Sequence, residues 1–193
     1  MSPSIFDTIY EVLASPSPGL KRVTAERPLG WAVLLSILVS VVFALTLLPD
    51  LPELVRAIFR LERGRVGIEL VMPVWVACFL AILFLGAGIL HLVAILLGGQ
   101  GSYSGLACGL SFAILPVMFF PPLALLRALL GFPGSILYLF GAVALVIWMV
   151  ILMVLALRHN YAFSVGRAIT SYFIPLVGLI IIPLISIAVA TGL

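Results

Sequence analysis

Five apolar stretches fill most of the chain, each close to or beyond the roughly 20 residues that an α-helix needs to cross a bilayer core. They run over residues 29–48, 70–97, 106–126, 136–157 and 168–193, with polar or Gly/Pro-rich punctuation between them. An unpaired backbone group costs several kcal/mol in hydrocarbon, so such spans must satisfy their hydrogen bonds internally, as helices do. The expected fold is therefore all-α: a polytopic bundle of five transmembrane helices, whose odd count puts the two termini on opposite sides. The first span starts late and runs long for a cleavable leader, and is read as retained. Composition agrees, since the 193 residues are 64% hydrophobic and 9% charged, against about one quarter charged in a soluble domain.

Charge is concentrated outside the spans. Lys21, Arg22, Arg27, Arg158 and Arg167 fall on the N-terminal side of the alternation, and Arg56, Arg60, Arg63, Arg65 and Arg127 on the other. The positive-inside rule thus returns a tie. A net charge of +3 with no basic patch gives nucleic acid nothing to bind.

Two segments outside the spans read as amphipathic helices. Residues 1–28 form an N-terminal interfacial segment, distinct from the bundle of residues 29–193. Within it Ile5, Phe6, Ile9, Val12 and Leu13 share an arc of about 120°, Ser4 and Asp7 have capping-box spacing, and Pro16, Pro18 and Pro28 frame a second short piece. This segment is expected either to lie in the headgroup plane or to dock as a lid on the bundle. In the linker, Leu51, Leu54, Val55, Ile58 and Leu61 share one face, and Arg56, Arg60 and Arg63 share another, placed to contact lipid headgroups. Asp50, Glu53, Glu62 and Glu69 temper that field.

Small residues recur at every fourth position along two spans: Ala32, Ser36, Ser40 and Ala44 in the first, and Gly101, Gly105, Gly109 and Ala113 into the third. This spacing lets helix backbones approach closely, so both ridges are expected to be packed. Prolines mark bends: Pro73 in the second span, Pro116, Pro121 and Pro122 in the third, Pro175 and Pro183 in the fifth.

Chemistry-bearing groups are few. His91 is the one clear ionisable residue at membrane depth, about two turns from the end of its span. A hydrogen bond across a helix seam is favoured for it over proton relay or ligand binding. His159 is placed in a polar loop beside Arg158, Asn160 and Tyr161. Gln100, Tyr103 and Ser111 complete the candidate polar seam. Cys78 and Cys108 lack metal-ligand spacing; paired aspartates, HExxH and a phosphate loop are missing from the sequence. No catalytic residue, metal or cofactor is expected.

Three stretches, taken in order, resemble a known family. They are IYEVLASPSPGLKRVTAERPL before the first span, LHLVAILLGGQGSYSGLACGLSFAILP from the second into the third, and RHNYAFSVGRAI into the fifth. The most specific pieces are Pro16 and Pro28, His91 with Gly98, Gly99 and Gly101, Pro116, and residues 159–168. The chain is similar to the prokaryotic branch of the Yip (Ypt-interacting protein) family of five-span membrane proteins. The resemblance implies a cytosolic N-terminus and an external or lumenal C-terminus, in a prokaryotic cell membrane. Eukaryotic members are associated with Rab-type GTPases, vesicle traffic and membrane shaping; the chain lacks their long acidic tail and DLYGP-type motif.

The expected function is that of a non-enzymatic membrane-organising or adaptor protein. Its expected partners are membrane lipids, a membrane or cytosolic protein, and a second copy of itself. The alternative is a small-molecule or lipid transporter or channel, with His91, Gln100, Tyr103 and Ser111 along its path.

Overall fold

The computed structural model describes residues 4–47 and 68–191, and these are helical with short connections and no strand. The linker carrying Arg56, Arg60 and Arg63 lies outside the described residues.

Local chemistry sets the helix starts. Ser4 opens α1 (Ile5–Ala14) with a reciprocal capping box: its hydroxyl accepts from the Asp7 N–H at 3.2 Å, and its own N–H donates to Asp7 Oδ2 at 3.0 Å. Pro16 then sits at the first position of α2 (Pro16–Glu26), where its missing N–H costs nothing. Arg27 ends α2 in the left-handed region, at φ 53°, and its N–H reaches the Val23 carbonyl. The apolar helices follow: α3 (Leu29–Leu47), α4 (Ile68–Leu96), α5 (Tyr103–Ala113), a 3₁₀ turn (Leu115–Phe119), α6 (Phe120–Leu130), α7 (Phe132–Tyr161) and α8 (Val165–Thr191). With 30 residues α7 is about 45 Å long.

Among the described residues, three helical stretches are long and apolar enough to cross a membrane: Glu69–Leu96, Tyr103–Leu130 and Phe132–Tyr161. A shorter apolar run, Leu29–Ala44, belongs to α3. Large apolar side chains such as Ile82, Leu129, Phe132 and Phe140 point outward. Water would not tolerate so extensive an apolar surface, whereas lipid does. The molecule is an integral membrane protein.

Prolines act unequally. The stretch Tyr103–Leu130 is broken in the middle by the 3₁₀ turn that contains Pro116, and α6 restarts with Pro121 and Pro122 in its first turn. The helix α4 continues through Pro73 and α8 through Pro175 and Pro183.

The elements alternate in direction. His91, late in α4, lies beside Tyr103 at the start of α5 and Tyr161 at the end of α7. At the opposite end a single residue, Gly131 at φ 62°, joins α6 to α7. Toward that second end Phe43 of α3 packs against Phe120 and Trp75, and the Trp75 indole donates to the Ser40 carbonyl at 2.9 Å. A carbonyl recruited from another helix in this way satisfies the indole inside the bundle.

The N-terminal segment shares this core. Val12, Leu20 and Val23 are buried in one cluster with Ala32, Leu35, Phe112, Leu152 and Ala156, so α1 and α2 dock on the bundle, with α2 lodged against α5 and α7. Gly19 makes the turn of α1 onto α2 possible: a β-carbon there would meet the Val12 backbone nitrogen at 2.8 Å. Phe6 departs from the helical-wheel reading. It is 78% exposed, with Tyr10 one turn later at 73%.

Candidate functional site

The bundle end where α4 stops and α5 begins gathers most of the polar side chains picked out from the sequence. Its geometry starts with glycines. Gly98 leaves α4 in the left-handed region at φ 81°, while the Gly98 and Gly99 N–H groups donate to the Ile95 and Ala94 carbonyls at 2.8 and 2.9 Å. The turn therefore closes the orphan carbonyls of the helix end. A β-carbon on Gly99 would meet the Tyr161 ring at 2.7 Å and the Phe163 ring at 2.8 Å, and one on Gly101 would meet Tyr161 at 2.6 Å. Glycine at 99 and 101 thus leaves room for the two aromatic rings packed on the turn.

Tyr161 reaches from this seat to His91, whose Nδ1 is hydrogen-bonded to the Tyr161 hydroxyl. The Tyr103 ring meets His91 edge-on, with centroids 6.0 Å apart, and its hydroxyl donates to the Phe84 carbonyl at 3.1 Å. Phe163 stacks on Tyr161 at 5.5 Å, and the Arg167 guanidinium lies 5.6 Å from the Phe163 ring. Cationic and aromatic groups in this arrangement attract through the ring quadrupole.

Ser102 caps α5, accepting from the Gly105 N–H at 3.1 Å, and its carbonyl accepts from Asn160 Nδ2 at 2.9 Å. Gly105 and Gly109 then form the floor on which α2 and α7 rest. A methyl on Gly105 would meet the Thr24 carbonyl oxygen at 2.8 Å, and one on Gly109 would meet Thr24 Cγ2 and Ala156 Cβ at 2.9 Å each. Ala113 is fully buried further along, as are Ala32, Ser36, Ser40 and Ala44 on α3. Ser36 returns its hydroxyl to the Ala32 carbonyl at 2.8 Å, and Ser40 to the Ile37 carbonyl at 2.8 Å.

His159 requires a correction. It lies in the last turn of α7, not in a loop, because α7 continues to Tyr161 and stops only at Ala162, a left-handed residue at φ 52°. Its Nε2 shares a hydrogen bond with the Ser17 hydroxyl at 3.0 Å, pinning the start of α2 to the end of α7. Arg22 fastens the arm internally, with an ion pair to Glu11 at 2.7 Å and a hydrogen bond to Thr8 at 3.0 Å.

Of the proposed path, the structure brings His91 and Tyr103 together. Gln100 is exposed on the turn, and Ser111 is fully buried about 12 Å further along α5. The Ser111 hydroxyl has no hydrogen-bond partner among the described residues. Tyr161, Asn160 and Ser17 were not singled out from sequence as partners; the polar run Arg158–Tyr161 closing a long apolar helix was the signal available. Among the described residues no three His, Cys, Asp or Glu side chains are grouped to hold a metal ion.

This end of the bundle is thus a layer of mutually paired polar and aromatic groups that locks α2, α4, α5 and α7 together. No curated protein and no solved structure matches the chain. The profile of the Yip1 domain matches residues 10–187, a range that takes in the docked α2, the glycine turn, the His91–Tyr161 seam and most of α8, and the chain accordingly belongs to the Yip1 domain family.

Proposed function

We propose that the chain is a non-enzymatic, five-pass membrane-organising or adaptor protein that uses its docked N-terminal arm as a contact surface. The observation that carries this reading is the division of labour on α1. Val12 is buried in the bundle core while Phe6 and Tyr10, on another face, are largely exposed. An exposed aromatic pair on a helix anchored to a membrane bundle suits a protein partner or the headgroup layer. In this reading the N-terminus is cytosolic, α3 and α8 are the first and fifth passes, and Arg56, Arg60 and Arg63 contact lipid headgroups from the linker. The pairing of His91, His159 and Asn160 with other side chains and backbone supports a structural rather than chemical role for this end.

The test is cross-linking in the native membrane followed by mass spectrometry of the purified protein. A near-stoichiometric protein or lipid partner is expected, lost on Phe6→Ala/Tyr10→Ala or on charge reversal at Arg56, Arg60 and Arg63, with thermal unfolding unchanged. Association that survives both sets of changes overturns the reading. A transporter reading draws on one observation, the 3₁₀ break that follows buried Ser111 in the third span. It requires flux in liposomes sensitive to His91→Ala, and flux no greater than that of empty vesicles removes it.

A further inference from the structure

At the opposite end from the polar seam, an open groove of about 430 Å³ runs between α6 and α7. Phe119, Leu123, Leu126, Gly141, Ala144 and Trp148 are among its walls, and the lining is almost entirely apolar. Phe119 and Trp148 stack at 6.2 Å and close its inner end. Gly141 sets its floor: a β-carbon there would meet Leu123 Cδ2 at 2.8 Å, so glycine lets the two helices approach. The groove's rim is outward-facing, with Leu125 and Phe140 exposed on either side, so it opens to the bilayer.

The outer end is polar. Arg127, in the last turn of α6, is exposed, and its guanidinium lies 5.6 Å from the Tyr138 ring on α7. Tyr138 precedes Gly141 by one helical turn, so this cation sits at the mouth of the groove and one turn from the Gly131 bend. From Tyr138 to Trp148 the helix rises about 15 Å, half of the roughly 30 Å hydrocarbon core. The groove therefore has the length of one leaflet, an apolar body, and a cation with an interfacial tyrosine at the headgroup level.

We propose that this groove is a binding site for an anionic phospholipid, with one acyl chain lying against Ala144 between α6 and α7 and the phosphate held by Arg127. The guanidinium presents its donors as a planar fork suited to phosphate oxygens. An apolar groove alone would take any acyl chain; Arg127 at its mouth selects for headgroup charge. This site is separate from the N-terminal arm and from the His91 seam.

The experiment uses the full chain in nanodiscs of phosphatidylglycerol and phosphatidylcholine in equal amounts, with retained lipids counted by native mass spectrometry. The wild type should keep phosphatidylglycerol over phosphatidylcholine by about fivefold, the size expected for one basic residue at a lipid surface. Arg127→Gln should abolish that preference. Ala144→Phe, at an exposed position whose larger side chain fills the groove, should reduce retention of both lipids. Should Ala144→Phe fail to fold, Arg127→Gln decides alone. Retention in the bulk ratio by the wild type, or a preference that survives Arg127→Gln, overturns the proposal. So does a dimer that Ala144→Phe dissolves without any change in bound lipid, which would assign the groove to a second copy.

Discussion

A methyl group is enough to separate α5 from its neighbours. At Gly109 the nearest atoms are Thr24 Cγ2 and Ala156 Cβ; the second is fixed to its backbone, and the first is held in place because the Thr24 hydroxyl donates to the Leu20 and Lys21 carbonyls at 2.9 and 3.1 Å. Gly109→Ala is therefore expected to destabilise the protein by about 1–3 kcal/mol, the usual penalty of overpacking. Gly30, with nothing within 4 Å of an added β-carbon, supplies the control. There alanine should be neutral or stabilising by up to about 1 kcal/mol, since helical glycine carries an entropic cost. Thermal unfolding of the two variants in the same detergent separates the cases, and equal midpoints would show that the α2–α5–α7 seam yields easily. The glycine spacing was legible in the sequence because small residues at every fourth position have one common use in membranes. What sat on the ridge was not, since Thr24 and Ala156 are far away along the chain and carry no complementary pattern.

The elements show how local and distant information divide. The start of α1 was readable from Ser4 and Asp7, because a capping box is closed by residues three apart. In the folded protein the Ser4 side chain, and then its backbone N–H, hold the Asp7 carboxyl below its ordinary value of 3.8, with a smaller contribution from Arg22. The charged carboxylate is thus the form the cap prefers. The cap contributes fully above a pH of about 4, the unfolded value, and fades as pH falls through the lower folded value. Hydrogen exchange of the first turn of α1, corrected for intrinsic rates, should accelerate across that acidic window in the wild type and show no such step in Asp7→Asn. Docking of the same helix was open in the sequence: an amphipathic face matches a lipid surface and a protein groove equally well, as both are apolar. Only the burial of Val12, Leu20 and Val23 among α3, α5 and α7 residues decides it. Likewise the apolar run ending near Leu157 gave α7 its body, but polar Arg158–Tyr161 extended it by a turn because Asn160 and His159 find partners in Ser102 and Ser17.

At the scale of the whole molecule, helix directions alternate, with α4 and α7 ending where α5 and α8 begin, and the five-pass reading proposed above rests on that alternation. Reporter fusions at the two termini should then report from opposite faces of the membrane, and a shared face would remove the five-pass topology. Charge could not supply the orientation, since its basic residues divide evenly. The all-helical character was legible in the long apolar runs, which leave the chain little choice but helices. The polar seam was legible only in part, because His91 declared itself by its depth whereas its partner Tyr161 lies 70 residues away.

The seat of α2 also sets an order of assembly. Helix α2, made before its seat, has nowhere to rest until Gly105, Gly109 and finally Ala156 and His159 have been made, and the Ser17–His159 contact spans 142 residues. Contacts so far apart form late, after the loop between them has been closed. The nascent arm must therefore wait outside while the later passes enter the bilayer, with Leu20 and Val23 uncovered, and a chain stalled before residue 156 would present them to whatever insertion factor or protease is at hand.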